Sequence, residues 1–97
     1  MSILERFHSI VEIHGEEMKR RFSVRQIGIF GSCARGDDSS ASDVDILVSL
    51  DMKTFDNYME LKFFLEEKFG RDVDLVIDES IKPSLKKRIM EEVRYAA

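Results

Sequence analysis

Residues 27–48 read IGIFGSCARGDDSSASDVDILV, and this stretch carries the most informative pattern of the chain. An apolar run ends at Gly31 and Ser32, a polar segment follows, and Asp43 and Asp45 open a second apolar run. A glycine lets the backbone approach a ligand, and a serine can cap a short helix whose free N–H groups attract phosphate. Residues two apart in a strand face the same way, so the two carboxylates project together. The pattern predicts Mg²⁺-dependent chemistry on a nucleotide.

The composition is typical of a small soluble protein. Its 97 residues are 43% hydrophobic and 35% charged, so we expect one domain with a modest core over residues 1–97. The net charge of −4 argues against a broad basic surface for nucleic acid. No apolar run approaches the roughly 20 residues of a membrane span, and the N-terminus does not resemble a signal peptide. We expect a cytoplasmic protein that binds neither membranes nor, directly, nucleic acid.

Hydrophobic periodicity predicts the secondary structure along the whole chain. Ser2 with Glu5 resembles a capping box, and Thr54 and Gly70 suit the two ends of a long helix. Local patterns leave open whether the first two strands pair parallel or antiparallel. The predicted order is a helix at residues 2–21, a strand at 24–30, a helical turn at 32–36, a loop at 37–42, a strand at 43–50, a helix at 54–69, a strand at 72–77, a helix at 83–92, and either an edge strand or a fraying end at 93–97.

Two of the predicted helices carry side chains with more than one interpretation. The helix at 54–69 has a second apolar stripe of Phe55, Met59 and Phe63, around which the core wraps or to which a partner binds. The basic run at 86–88 of the last helix is most simply a solvated face. The alternative is a basic patch for an acidic partner or for the phosphates of a nucleotide.

A third acidic residue, Asp74, interrupts the otherwise apolar strand at residues 72–77. If the strands are neighbours, Asp74 converges with Asp43 and Asp45 at one end of the sheet. Clustered carboxylates repel one another unless a cation neutralises them, and Mg²⁺ does so while keeping coordination sites for substrate phosphates. One carboxylate can also accept the proton of an attacking hydroxyl. The three acids together therefore predict a nucleotidyl-transfer site.

The motif Gly31-Ser-Cys-Ala-Arg35-Gly, followed by Ser-Asp43-Val-Asp45-Ile-Leu-Val, resembles the signature of the DNA polymerase β-like nucleotidyltransferase superfamily. The chain length, the later Val-Asp74-Leu-Val and the C-terminal segment are similar to its minimal nucleotidyltransferase (MNT) group. The resemblance implies an α+β, two-layer fold with a small mixed, mostly antiparallel sheet and helices packed on one face. It implies that Gly31, Ser32 and Arg35 bind the nucleotide, that Asp43, Asp45 and Asp74 bind the metal and are catalytic, and that Asp74 is the general base.

The MNT resemblance also implies a partner. Proteins of this group act as antitoxins towards a HEPN-domain toxin and transfer AMP from ATP to a tyrosine hydroxyl of it. We therefore expect ATP or another nucleoside triphosphate as substrate, a two-ion Mg²⁺ site, and a HEPN toxin as partner. One alternative is a non-catalytic antitoxin that masks its partner, and the complete set of Ser32 and three aspartates counts against it. A small-molecule nucleotidyltransferase similar to aminoglycoside-modifying enzymes is the other, less favoured because no acceptor domain is evident.

Overall fold

The computed structural model describes residues 1–96, and the predicted element boundaries agree with it to within one residue at every helix and strand end up to residue 92. The C-terminal segment forms an edge strand, and Ala97, the last residue of the predicted 93–97 segment, lies outside the described residues. No helix within residues 1–96 is long and apolar enough to cross a membrane. The elements are α1 Ile3–Phe22, β1 Val24–Phe30, α2 Gly31–Arg35, β2 Val44–Leu50, α3 Phe55–Phe69, β3 Val73–Ile77, a 3₁₀ turn Asp78–Ser80, α4 Pro83–Glu92 and β4 Arg94–Tyr95.

The strands form one sheet in the order β3-β2-β1-β4. β1 pairs antiparallel with both β2 and β4, whereas β2 and β3 are parallel. The parallel pair needs a crossover connection, which α3 supplies. The predicted mixed, mostly antiparallel sheet is therefore confirmed, and the direction of the first two strands, which local patterns left open, is antiparallel.

The core lies between the sheet and the helices α1 and α3. These helices contact each other and the strands β1 and β3, so they cover one face of the sheet. Alternate residues of each strand point into this layer, as the period-2 pattern requires. The largest side chains that are fully buried within it are Phe7, Met18 and Phe22 of α1, Ile29 of β1, Ile46 of β2, and Leu61, Leu65 and Phe69 of α3.

The helix ends form as their sequences predict. Ser2 accepts a hydrogen bond from the backbone N–H of Glu5, and the Glu5 carboxylate accepts one from the backbone N–H of Ser2. Thr54 caps α3 by accepting from the N–H of Asn57, and Gly70 ends that helix with φ +68°. Because both caps satisfy otherwise unpaired backbone groups, they fix where the two long helices begin and end.

The second apolar stripe of α3 lies outside the core. Phe55 is 77% exposed and Phe63 is 58% exposed, while Met59 is half-buried. The interpretation in which the core wraps around this helix is therefore wrong. The stripe is instead an apolar strip on the surface of the protein.

Candidate active site

The junction between β1 and α2 forms the predicted phosphate-binding turn. Phe30 occupies the N-cap position of α2, and no side chain caps this helix. The prediction that Ser32 caps it is wrong, because Gly31 already belongs to the helix and Ser32 lies within its first turn. The uncapped first N–H groups of a helix are available to an anion.

Gly31 lies directly against the carboxylate of Asp45. Its φ is +74°, in the left-handed region that disfavours side chains. A Cβ atom placed on Gly31 would lie only 2.2 Å from Oδ2 of Asp45. The cross-strand register explains this proximity, since Phe30 and Asp45 are Cα partners in the β1–β2 ladder. Only glycine at this position leaves room for the acid.

The parallel pairing of β2 and β3 brings the acidic residues together. Asp45 and Asp74 are Cα partners in the register, and both point away from the core, because their strand neighbours Val44 and Val73 are buried within it. Asp74 is exposed, and Asp43, just before β2, is exposed as well. The predicted convergence of acids at one end of the sheet is thus built from two strands that are about 30 residues apart in the chain.

The electrostatics of Asp45 reflect this crowding. The pKa of Asp45 is raised to about 6, most by burial and then by the neighbouring charges of Asp74 and Asp43, while Arg35 lowers it. A raised carboxyl pKa means that the folded protein disfavours the charged form of the Asp45 side chain. A cation bound nearby would remove that penalty.

The acidic residues of the site have the donor chemistry of a metal-ion site. Asp43, Asp45 and Asp74 offer only carboxylate oxygens, which are the ligands that Mg²⁺ prefers. Within residues 1–96, no three His, Cys, Asp or Glu side chains are already arranged closely enough to hold an ion. The chemistry of the donors and the raised pKa of Asp45 nevertheless fit a divalent cation, with Asp45 at the centre of the acidic group.

A cleft of about 350 Å³ separates this junction from α4. Arg35 projects from the end of α2, and its Nε donates to Asp37 Oδ2 at 3.2 Å while its Nη1 donates to Glu92 Oε1 at 3.1 Å. Sequence reasoning missed Glu92, because nothing in the local pattern of a terminal helix indicates that its last residue meets an arginine 57 positions earlier. The cleft is lined by Phe30, Gly31, Ser32, Arg35, Asp45, Leu85, Arg88, Ile89 and Glu92.

Arg71 ties the loop that precedes Asp43 to the start of β3. Its Nη1 lies 3.1 Å from Asp38 Oδ2, and 2.9 Å and 3.4 Å from the carbonyl oxygens of Ser39 and Ser42. One guanidinium therefore links the segment that carries Asp43 to the strand that carries Asp74. This role was also missed, since the partners are about 30 residues apart and form no motif.

Cys33 supports the same loop from the core side. Its thiol is buried and lies 3.7 Å from the backbone oxygen of Asp43, to which it donates. Burial raises the pKa of the Cys33 thiol, which keeps it protonated and a poor nucleophile. The structure thus agrees with a packing role for this residue.

A family model for the nucleotidyltransferase domain matches residues 11–96. The chain belongs to this family. The nucleotidyltransferase domain match covers every predicted site residue and nearly every element of the fold, so the resemblance that rested on the Gly-Ser and Asp-x-Asp motif extends over most of the chain.

Within the nucleotidyltransferase family, this chain is similar to minimal nucleotidyltransferases and to a protein adenylyltransferase. The protein adenylyltransferase MntA of Thermococcus cleftensis is 42% identical over 98% of this chain and 97% of its own length. Among solved structures, a proposed minimal nucleotidyltransferase is 29% identical, with a TM-score of 0.79 over 97% of this chain and 95% of its own. A chain from a toxin–antitoxin complex with AMP-PNP is 26% identical, with a TM-score of 0.69 over 87% of this chain and 70% of that one. The predicted fold and the MNT resemblance are confirmed.

Proposed function

We propose that this protein is a Mg²⁺-dependent adenylyltransferase that transfers AMP from ATP to a tyrosine hydroxyl of a HEPN-domain toxin and thereby acts as its antitoxin. The observation that carries the proposal is the contact between the Gly31 backbone and the Asp45 carboxylate, with Asp74 beside it in the register. A phosphate-binding turn and paired acids at one point are the arrangement that nucleotidyl transfer requires.

Each residue of the site has a role in the proposed reaction. Ser32 and Arg35 hold the triphosphate through hydrogen bonds and charge. Asp43, Asp45 and Asp74 would hold Mg²⁺, which supplies charge neutralisation for the phosphates when it is bound. Asp74, which is exposed and is the register partner of Asp45, would act as the general base towards the acceptor hydroxyl.

The proposed chemistry is an in-line displacement at the α-phosphorus of ATP. The acceptor hydroxyl oxygen forms a bond to the α-phosphorus, and the bond from that phosphorus to the α,β-bridging oxygen breaks. Pyrophosphate leaves, and the hydroxyl proton passes to the Asp74 carboxylate. The product is a phosphodiester that joins AMP to the acceptor.

The choice of a protein acceptor rests on relatives. The 42% identical protein is named a protein adenylyltransferase, and the 26% identical chain comes from a toxin–antitoxin complex with AMP-PNP. The MNT resemblance of the sequence adds the HEPN toxin and its tyrosine. The cleft beside Asp45 is open to solvent, so the side chain of another protein could enter it.

The test is incubation of the protein with α-labelled ATP, Mg²⁺ and the HEPN protein encoded beside it, followed by intact mass measurement. We expect the HEPN protein to gain AMP, and we expect Asp45→Asn to lower the transfer rate at least about a thousandfold. Asp72→Asn is the matched control, because Asp72 lies just before β3 with an exposed side chain and outside the cleft lining. It should transfer AMP at the wild-type rate.

Two results would contradict the proposal in different ways. Stable complex formation without any mass gain would favour an antitoxin that acts by masking its partner. Mg²⁺-dependent transfer that survives in the Asp43→Asn/Asp45→Asn double variant would show that these carboxylates are not the catalytic acids. Omission of Mg²⁺ with excess chelator should abolish transfer by the wild-type protein.

A further inference from the structure

Helix α4 forms one wall of the cleft, and its residues lie outside the Gly-Ser and Asp-x-Asp motif. The motif residues Gly31, Ser32 and Asp45 line one side of the cleft, and α4 lines the other. On the α4 side, Leu85 and Ile89 are apolar, while Arg88 and Glu92 are charged. Since these four residues recur at three- and four-residue steps, they share the face of α4 that is turned towards the motif.

Glu92 is the meeting point of two arginines from different elements. Its Oε1 accepts from Nη1 of Arg35 at 3.1 Å and lies 3.7 Å from Nε of Arg88. The Glu92 side chain is only 24% exposed, whereas that of Arg88 is 74% exposed. A single carboxylate oxygen therefore lies between two guanidinium groups in the same cleft as Ser32.

The carboxylate of Glu92 also lies in the cleft that would receive the phosphates of a nucleotide. It lines the same cleft as Asp45, so two acids and any bound triphosphate share a small volume. Guanidinium groups bind phosphate and carboxylate oxygens with the same donor geometry. A phosphate group that enters the cleft would compete with Glu92 for the same donors.

We propose that Arg88 is a nucleotide-binding residue that forms, with Arg35, a two-arginine site for the triphosphate, and that Glu92 occupies this site until the phosphates displace it. This inference rests on the proposed function, whose substrate it concerns, and it adds a helix outside the signature motif to the binding site. Arg35 keeps its second partner, Asp37, 3.2 Å from its Nε, so it stays oriented when Glu92 leaves. Arg88 swings from Glu92 to the phosphates.

The test measures binding rather than turnover. The probe is α,β-methylene-ATP with Mg²⁺, because it cannot release pyrophosphate, and AMP serves as the probe without the outer phosphates. Isothermal titration calorimetry on the full chain gives both dissociation constants. We expect Arg88→Gln to weaken binding of the triphosphate analogue about tenfold, as for loss of one charge-assisted contact, with little change for AMP.

The competing carboxylate predicts the opposite change. Glu92→Gln keeps the shape of the side chain and its ability to accept from Arg35, but removes its charge. We expect it to tighten binding of the triphosphate analogue about threefold to tenfold. Glu92→Gln should tighten binding of the triphosphate analogue less when Arg88 is also replaced. The reason is that only one of the two guanidinium groups that Glu92 contacts, that of Arg35, then remains to bind phosphate.

The control variants lie on the same helix. Lys87→Gln removes a positive charge next to Arg88, and Glu91→Gln removes a negative charge next to Glu92, but both side chains are exposed and neither lines the cleft. Both variants should bind the analogue as the wild type does. A similar effect of Lys87→Gln and Arg88→Gln would mean that only net charge matters, which would overturn the proposal.

The outcomes separate this inference from the proposed function. If Arg88→Gln binds the analogue as tightly as the wild type, or Glu92→Gln binds it more weakly, the inference is wrong even where AMP transfer to the toxin is observed. If the variants change binding as expected while no transfer occurs, the inference stands and the proposed function fails. Absence of any nucleotide binding by the wild-type protein would overturn both.

Discussion

The two faces of β2 differ in polarity, because one is apolar throughout and the other carries polar side chains. On the face towards α1 and α3, Val44, Ile46 and Val48 are apolar and buried. On the other face, Asp45 is partly exposed at the cleft, Leu47 is buried, and buried Ser49 donates a hydrogen bond to Asp78 at 2.5 Å. Neighbouring residues of one strand thus stabilise the fold on one side and carry charge on the other.

The two ends of this second face of β2 differ in how their polar side chains are accommodated. The far end of the second face is covered, and its polar group there, Ser49, has a partner. At the end of β2 next to α2, burial and the nearby negative charges of Asp74 and Asp43 raise the pKa of Asp45. Burial of apolar side chains on the core face therefore offsets the free-energy cost of the negative charge of Asp45 at the site. Three substitutions test this comparison.

The largest effect is expected on the core face. Ile46→Ala removes buried methyl groups from the layer beneath α1 and α3 and leaves a cavity there. We expect the free energy of unfolding to fall by about 2–5 kcal/mol, and by only about 0.5–1.5 kcal/mol for Ile46→Val. Urea denaturation measures both values. A cost for Ile46→Ala no larger than that of Ile46→Val would show that this face is not the source of stability.

A smaller effect is expected where the two strands meet at the site. Gly31→Ala combines a left-handed φ with a clash against Asp45, so it should destabilise the fold by about 1–3 kcal/mol and slow AMP transfer about a hundredfold. Gly36→Ala is the matched control, because Gly36 has φ +80° but nothing within 4 Å of the added carbon. It should lose stability through backbone strain alone and keep its transfer rate. Equal transfer rates in the two variants would remove the argument that Gly31 makes room for the acid.

The smallest expected effect is an increase in the free energy of unfolding, on replacement of Asp45. Because the pKa of Asp45 is raised to about 6 from 3.8, the folded protein binds an extra proton between these values, and its stability falls as pH rises through this range. Asp45→Asn should therefore increase the free energy of unfolding at pH 7–8 by about 1 kcal/mol, a value discounted for the partial exposure of the side chain. Below about pH 4 the two proteins should be equally stable.

Urea denaturation between pH 4 and 8 in the presence of chelator measures this difference. Asp72→Asn, which changes an exposed acid just before the neighbouring strand β3, should follow the wild-type curve. If Asp45→Asn were less stable than the wild type at pH 8, the negative charge at the site would be a stabilising feature instead.

Local patterns in the sequence predicted the secondary structure and the residues of the candidate site. Local signals such as the Ser2–Glu5 capping box and the Gly70 helix end depend only on residues a few positions apart, and they form as predicted. The Gly-Ser and Asp-x-Asp motif likewise lies within one short stretch, so its residue types could be matched to a family from the sequence. The cap of α2 is a local detail that was wrong, because Phe30 and not Ser32 occupies the N-cap position.

The tertiary structure alone decided which residues meet. The pairing of Asp45 with Asp74, the link from Arg71 to the loop at Ser39, and the contact of Glu92 with Arg35 each join segments about 30 to 57 residues apart. No periodic pattern encodes such contacts, because strand order and helix placement follow from how the apolar faces of all elements pack together. The acids were visible in the sequence, and only the packed sheet made Asp45 and Asp74 neighbours at one end of it.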